Sequence, residues 1–360
     1  MTKLAAILKA RLAREGAISV ADYMALCLLH PEHGYYTNCD PLGVAGDFTT
    51  APEISQMFGE MLGLVLVQAW QDQGSPSPFV LAEPGPGRGT LMADILRVAT
   101  RSTGFGEALR LWLVEASPHL RQRQQALLAA HDPKFSDSMS DLPDLPLFLI
   151  ANEFFDALPV RQFLKAEGGW RERMVVADGE GLAFGYSAPL PFETLEDRWQ
   201  SVEPGAMVEA TPAAEAMLED IATRIAERGG VALIVDYGDS DAPGDTFQAL
   251  KGHRKVDPLA DPGEADLTAH VNFAALMRAA RAVPGIAASR PTPQGVLLER
   301  LGITGRARQL AAGLQGPALE AHISAHRRLT HPDEMGSLFK ALAIYPADAP
   351  PPPGLDVDDA

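Results

Sequence analysis

The sequence predicts an α/β fold: a doubly wound parallel sheet, with a helical subdomain before it and a β-rich insertion inside it. Short, continuously apolar strand segments alternate with helical segments between residues 79 and 235. Residues 1–72 show mostly helical periodicity, and residues 160–205 alternate around glycine-containing turns. We therefore expect an N-terminal helical cap or lid over residues 1–75 and a core over residues 76–345 that contains the insertion.

The helical cap is predicted from apolar residues that recur at helical spacing. One group precedes residue 15 and a second follows residue 56: Leu4, Ile7, Leu8 and Leu12, then Met57, Met61, Leu64 and Val65. A turn-rich stretch over residues 30–52 separates the two groups. The first helix carries several basic residues and resembles an organellar presequence, but helical periodicity resumes from Val20, so we interpret it as part of the fold.

The alternating core follows a proline- and serine-rich breaker at residues 74–78. Apolar runs predict four strands, and the segments between them predict helices: strands at 79–82, 111–114, 147–151 and 231–235, and helices at about 90–98, 118–130 and 212–228. The insertion is expected to form a β-meander at the edge of the sheet. Further helices are expected near 270–283 and 305–328, a last strand at 337–344, and a disordered tail over 346–360.

Charge and composition exclude several classes of function. Thirty Lys and Arg residues against 47 Asp and Glu give a net charge of −17, which disfavours nucleic acid and anionic membrane as partners. No apolar run has the length of a membrane span, so we expect no membrane insertion. Only two cysteines are present, which indicates a reducing compartment and a cytoplasmic location.

One spacing resembles a zinc site. Cys27, His30, His33 and Cys39 could supply four ligands. The intervening proline and glycine residues are typical of an ordinary passage from a helix into a turn, so we expect no metal.

The segment from Glu83 to Gly89 is the strongest functional signal in the residues themselves. A strand turns through Gly85, Gly87 and Gly89 into a helix, so a ligand can approach the backbone closely. The spacing fits neither a dinucleotide-binding loop nor a P-loop, and Glu115 at the end of the next strand could accept ribose hydroxyls. Glycines beside acids suit S-adenosylmethionine, which has no phosphate. The alternative is a purely structural turn with an exposed Glu115.

Five segments carry a resemblance to a known family: residues 46–60, the glycine loop through Met92, residues 114–118, residues 151–159 and residues 265–271. In them the chain resembles the MidA-like S-adenosylmethionine-dependent methyltransferases, whose mitochondrial members methylate an arginine of a complex I subunit. The resemblance implies a Rossmann-like class I methyltransferase core in a bacterial cytoplasmic protein. It also implies a protein substrate from a respiratory complex, and it leaves a homodimer open.

The resemblance and the glycine loop together assign residues to the cofactor: Glu83, Gly85, Pro86, Gly87, Gly89, Thr90, Glu115, Ala116, Ser117, Thr50, Pro52 and Asn152. The segment over residues 46–60 is expected to cover the cofactor, with Thr50 capping the helix that follows. The alternative for this segment is a packed subdomain whose acids, Asp47 and Glu53, make only structural hydrogen bonds.

The acceptor side is expected in the loop after the third core strand. Glu153 and Asp156 are predicted to face the substrate there, because carboxylates can orient a guanidinium by paired hydrogen bonds. Asn152 would contact the cofactor or the incoming nitrogen. Each acid could instead cap a turn. His270 is a candidate base and could equally be structural, and residues 236–238 are secondary candidates.

Three functions remain open from the sequence. Protein arginine methylation is the leading hypothesis, because the acids of the 152–156 loop suit a guanidinium. A methyltransferase acting on a small molecule or another nitrogen is the second. The third is an assembly factor that binds S-adenosylmethionine with little catalysis.

Overall fold

A computed structural model describes residues 2–38, 50–179, 181–191, 195, 201–239 and 244–357. Several predictions fall partly on other residues, including the insertion over 160–205 and the tail over 346–360. Cys39 of the zinc spacing and residues 46–49 of the expected lid, Asp47 among them, lie outside the described residues.

The α-helices begin with three in the first 38 residues. In chain order they are α1 Lys3–Glu15, α2 Val20–Leu29, α3 Tyr35–Asn38, α4 Ala51–Ile54, α5 Gln56–Asp72, α6 Thr90–Ala99, α7 Phe105–Ala108, α8 Pro118–Leu127, α9 Pro212–Arg228, α10 Phe273–Arg281, α11 Gln294–Arg300, α12 Ile303–Ala311 and α13 Gly316–Thr330. The helical structure predicted over 305–328 is confirmed and consists of two helices, α12 and α13.

The strands confirm the predicted alternation and add short ones. In chain order they are β1 Ile18–Ser19, β2 Phe79–Pro84, β3 Leu109–Val114, β4 Lys134–Ser136, β5 Leu147–Asn152, β6 Arg161–Ala166, β7 Gly169–Asp178, β8 Gly181–Tyr186, β9 Met207–Ala210, β10 Gly230–Asp239, β11 Gln248–Lys251, β12 Arg254–Val256, β13 Asp266–Thr268, β14 Val271–Asn272, β15 Ile286–Ala288, β16 Thr292–Pro293 and β17 Phe339–Pro346.

The chain divides into two compact units, each built from three segments. The insertion unit comprises Met1–Phe48, Asp156–Ala214 and Asp241–Asn272, and the core unit comprises Thr49–Phe155, Glu215–Ser240 and Phe273–Ala360. These bounds differ from the predicted boundary at residue 75, because α4 and α5 belong to the core unit. Helical periodicity alone cannot tell a cap helix from a helix that packs on a sheet.

The core unit contains a doubly wound sheet of the predicted kind. Its strand order is β15-β17-β10-β5-β2-β3-β4, and the neighbours from β10 to β4 are parallel. The chain runs outward from β2 to β4 and then restarts on the other side of β2 with β5. The carboxyl ends of β2 and β5 therefore flank a topological switch point, where ligands bind in open α/β sheets.

Burial explains why the strands read as continuous apolar runs. Every residue of β2 is buried, and so are the first five residues of β5. Helices pack on the sheet. Helices α5 and α6 approach each other closely at Gly59, where an added Cβ would lie only 2.6 Å from the Asp94 Cβ.

The insertion unit has its own sheet. The antiparallel order β1-β7-β6-β9, with β8 on β7, joins the N-terminal segment to the predicted meander. Ile18 pairs with Val175 in this sheet. The expectation that the meander lies at the edge of the main sheet is therefore wrong, because the meander strands pair within a separate sheet. A three-stranded antiparallel sheet, β12-β11-β13, completes the described part of this unit.

The C-terminal segment differs from its prediction as well. Residues up to 357 were expected to be disordered, yet the Asp356 amide donates to Thr292 Oγ1 over 2.7 Å and Leu355 is buried. The segment contains prolines and acids but also the buried Leu355. Overall composition does not reveal that a single apolar residue will be buried. Within the described residues, no helix is long and apolar enough to span a membrane.

Candidate functional site

The glycine loop follows β2 at the switch point. Gly85, Gly87 and Gly89 have φ values of 60°, 53° and 83°, in the left-handed region that favours glycine. A Cβ on Gly85 would lie 2.9 Å from the ring of Phe154. Gly89 is the N-cap residue of α6, which begins at Thr90. The loop is therefore a backbone surface that most side chains would disrupt.

Two buried carboxylates stand beside this loop. The Glu115 carboxylate accepts from the Ser117 amide over 2.8 Å and from Gln124 Nε2 over 3.1 Å, and Gln124 Nε2 lies 2.6 Å from the Gly87 carbonyl oxygen. Glu115 is only 8% exposed, so the alternative of an exposed Glu115 is wrong. Glu83 is 3% exposed, and among the described residues its Oε2 accepts no hydrogen bond.

Burial raises the pKa of both carboxyl groups. The pKa of Glu83 rises to about 8, mainly because burial penalises the charged form and secondly because Glu115 carries a like charge. Burial also raises the pKa of Glu115, although its hydrogen bonds from Ser117 and Gln124 oppose that shift. A cation bound beside Glu83 would favour its ionised form.

Side-chain contacts connect helix α4 to the glycine loop and to the start of α6. Thr90 Oγ1 donates to Glu53 Oε1 over 2.6 Å, and Arg88 Nη1 lies 3.6 Å from Glu53 Oε2. Thr50 occupies the predicted N-cap position of α4, but its side chain makes no capping hydrogen bond. The cap comes one helix later, where Ser55 accepts from an amide of α5.

The loop after β5 connects to the same helix. Glu153 Oε1 accepts from the Ala51 amide and from Asn152 Nδ2, each over 3.2 Å. Glu153 has a φ of 49°, which is uncommon for a residue with a side chain. Asn152 Oδ1 is buried and has no hydrogen-bond partner among the described residues. Asn152 and Glu153 thus lie next to α4, the helix that contains Glu53.

A buried acid from the neighbouring strand supports this loop. Asp236 Oδ2 accepts from the amides of Phe154 and Phe155 over 3.2 and 3.0 Å, and Asp236 Oδ1 accepts from the Tyr237 amide. Asp236 is fully buried. Sequence reasoning named this residue only as a secondary candidate and did not foresee the support. Its place directly after the predicted strand over 231–235 was the available signal.

Asp156 and His270 belong to the insertion unit. Asp156 is buried, and its carbonyl oxygen accepts from the Ala269 amide. His270 is exposed, and its amide donates to Thr246 Oγ1 over 2.9 Å. Their predicted catalytic roles are not tested by these contacts and stay predictions.

The insertion unit also contains a pair that the sequence did not single out. Tyr36 donates to Asp266 Oδ1 over 2.6 Å. Burial, then the charges of Asp266 and Asp156, hold the pKa of Tyr36 well above its usual range. Sequence reasoning did not bring these groups together because Tyr36, Asp156 and Asp266 are far apart in the chain.

The zinc spacing is described only in part, because Cys39 lies outside the described residues. Cys27 is buried in an apolar cluster of the insertion unit, and burial raises its pKa to about 12. Among the described residues, no group of three or more potential ligands could hold a metal ion.

A match to a protein-family model identifies the family of this chain. The model described as "Putative S-adenosyl-L-methionine-dependent methyltransferase" matches residues 61–292. The chain belongs to this family. The methyl donor of this methyltransferase is S-adenosylmethionine, and its Rossmann-like α/β core is the one predicted.

This methyltransferase is similar to curated relatives over most of its length. It is 37% identical over 381 residues to the mitochondrial protein arginine methyltransferase NDUFAF7 homolog of Drosophila melanogaster, covering 95% of this chain and 85% of the relative. It is also 37% identical over 363 residues to the mitochondrial protein arginine methyltransferase NDUFAF7 of Homo sapiens, covering 92% and 80%.

A crystal structure gives the same fold. This methyltransferase matches a protein from Burkholderia thailandensis with a TM-score of 0.81 and 29% identity, covering 95% of this chain and 91% of that chain. That protein was crystallised with bound S-adenosyl-homocysteine. In the methyltransferase described here, the core unit brings together the glycine loop, both buried acids, α4, Asn152 and Glu153.

Proposed function

We propose that this methyltransferase transfers methyl groups from S-adenosylmethionine to an arginine side chain of a protein. Two relatives named protein arginine methyltransferase align with more than nine-tenths of the chain, which supports the acceptor class. The observation that carries the proposal in the molecule itself is the Glu153 carboxylate, held beside the end of β5 at the switch point.

The proposed cofactor site consists of the carboxyl ends of β2, β3 and β5. Glu115 would accept the two ribose hydroxyls, and Glu83 would face positive charge of the cofactor. Backbone groups and small side chains would line the rest: Gly85, Pro86, Gly87, Gly89, Thr90, Ala116, Ser117, Thr50, Pro52 and Asn152. The residues present fit this ligand, because a buried Glu83 oxygen with no described donor suits a cation, and three left-handed glycines leave the backbone open.

The bound cofactor supplies an electrophilic methyl group on a sulfonium sulfur. The enzyme has to align an acceptor nitrogen with that methyl group. A guanidinium is a poor nucleophile, because it keeps its proton to a pKa above about 12. In the proposed mechanism, the Glu153 carboxylate binds the planar N–H groups, localises the positive charge away from the attacking nitrogen and orients that nitrogen.

We further propose that the acceptor is a subunit of a respiratory complex and that the reaction occurs in the bacterial cytoplasm, following the family resemblance. The excess of 17 negative charges suits an acceptor segment that carries arginine.

Labelled methyl transfer in a host lysate tests the function. Wild-type protein and methyl-labelled S-adenosylmethionine are incubated with the lysate, and the labelled residue is identified by mass spectrometry. We expect label on arginine, strongly reduced with Glu153→Gln. The exposed Glu219 on α9 provides a matched control, Glu219→Gln, that should label as the wild type does. Label on a lipid, a base or a metabolite would overturn the arginine proposal, and so would cofactor binding without any labelled protein.

A further inference from the structure

Glu153 holds an unfavourable backbone conformation. Its φ of 49° lies in the left-handed region, which a residue with a Cβ enters only when its surroundings hold it there. The Glu153 amide donates to the Val235 carbonyl oxygen over 2.9 Å, as a continuation of the pairing between β5 and β10. That bond extends the ladder by one residue but leaves the next turn unexplained.

Asp236 accepts the hydrogen bonds of the turn that follows the β5–β10 ladder. Its Oδ2 accepts from two consecutive amides, those of Phe154 and Phe155. Consecutive backbone amides converge on one acceptor oxygen where the chain adopts a turn or a conformation that includes a left-handed residue. The residue at that turn is Glu153. Asp236 is fully buried, so water does not compete for these bonds.

The turn has consequences on both sides of the loop. The Glu153 carboxylate reaches the Ala51 amide of α4 over 3.2 Å. The Phe154 ring comes to lie against the glycine loop, where a Cβ on Gly85 would be only 2.9 Å away. One carboxylate on β10 thereby fixes a second carboxylate on the neighbouring loop.

We propose that Asp236 is a positioning residue for methyl transfer: by binding the Phe154 and Phe155 amides, it keeps Glu153 in the left-handed turn from which its carboxylate acts on the acceptor. The inference rests on the proposed function of Glu153. In this proposal, Asp236 acts through the loop and not by contact with the substrate or the cofactor.

A double-mutant cycle tests the coupling. Asp236→Asn replaces the shared carboxylate by an amide, and we expect kcat for methyl transfer to fall about 10- to 100-fold, the usual range for groups that orient a ligand-binding residue. The affinity for S-adenosyl-homocysteine should change much less than kcat. In a Glu153→Gln background the same Asp236 substitution should lower kcat no more than about threefold, because the group it positions has already lost its charge. Equal losses of kcat in both backgrounds would overturn the proposal.

A second measurement does not depend on activity. Amide hydrogen exchange reports the Ala51 N–H, whose acceptor in the structure is Glu153 Oε1. We expect protection of Ala51 to fall in Asp236→Asn about as far as it does in Glu153→Ala. Unchanged protection would overturn the positioning role even in a protein that methylates no arginine, so this result and failure of the proposed function can be told apart.

A matched variant controls for the loss of any buried acid. Asp94 on α6 is 4% exposed, and its carboxylate pairs with Arg97 rather than with the amides of the Glu153 loop. Asp94→Asn should leave Ala51 protection and the ratio of kcat to S-adenosyl-homocysteine affinity unchanged. If Asp236→Asn does not fold, Asp236→Ser keeps an oxygen near the two amides and enters the same cycle.

Discussion

The two loops at the switch point are built by different means. The glycine loop after β2 obtains its shape from residues that adopt left-handed angles freely, Gly85, Gly87 and Gly89. The loop after β5 makes a left-handed turn at Glu153, where the proposed mechanism requires a side chain, and Asp236 on a neighbouring strand accepts from the two amides that follow. A surface for a cofactor can be made of backbone alone, whereas a group that acts on an acceptor has to bring its side chain with it.

The largest expected effect breaks the first loop. In Gly85→Val, the side chain would collide with the Phe154 ring and φ would remain left-handed, so we expect unfolding free energy to fall by about 2–5 kcal/mol and cofactor binding to be lost. Denaturant unfolding and calorimetric titration with S-adenosyl-homocysteine measure both. Gly302→Ala is the control, because its φ is 90° and nothing lies within 4 Å. A Gly85→Val protein as stable as that control would contradict the close packing.

The second prediction concerns pH. Because the folded-state pKa of Glu83 is raised to about 8 from 4.5, the folded state binds the proton more tightly than the unfolded state. Its contribution to stability is complete below pH 4.5 and is lost as pH rises through about 8, with a slope of up to about 1.4 kcal/mol per pH unit. Urea unfolding at several pH values should show this slope in the wild type and not in Glu83→Gln.

The same group predicts how binding depends on pH. A cationic ligand favours ionised Glu83, so affinity for S-adenosylmethionine should increase as pH rises towards 8, with proton release on binding. Titration in two buffers of different ionisation enthalpy detects the released proton. Equal proton release by Glu83→Gln would assign it to another group.

The third prediction sharpens the contrast at Glu153. Glycine adopts the left-handed conformation without the penalty of about 1–2 kcal/mol that other residues incur. Glu153→Gly should therefore be more stable than Glu153→Ala by about 1 kcal/mol, although both lose the carboxylate and methyl transfer. Chemical unfolding compares the two, and equal stability would mean that the turn relaxes once the side chain is gone.

The smallest effect is expected in α4, the helix that contacts both loops. Thr50→Ala should change unfolding free energy by less than about 0.5 kcal/mol, because Thr50 forms no capping hydrogen bond. Ser55→Ala removes a real cap and should lower it by about 1 kcal/mol. If Thr50 contacts the cofactor, Thr50→Ala weakens S-adenosyl-homocysteine binding while stability stays constant.

Sequence reasoning was most successful where local pattern decides structure. The apolar runs of β2, β3, β5 and β10 predicted the core sheet, and the glycines predicted the loop that follows β2. The acid at Glu115 was found because it ends a strand. These features need only a few adjacent residues.

The failures have a common cause in contacts between distant residues. Ile18 pairs with Val175, so the first helices belong with the meander rather than with α5. Asp236 binds amides 81 and 82 positions away, and Gln124 approaches the Gly87 carbonyl oxygen from 37 residues on. Nothing in the local pattern of these side chains indicates such partners.

The pairing of Ile18 with Val175 also constrains folding of the chain during its synthesis. Synthesis proceeds at about 5–20 residues per second, so β1 leaves the ribosome many seconds before its partner strand exists. The insertion unit further requires residues up to Asn272. Until these residues have been synthesised, the apolar faces of α1 and α2 lack their final neighbours. We therefore expect a holding chaperone to act on these two segments of the nascent chain.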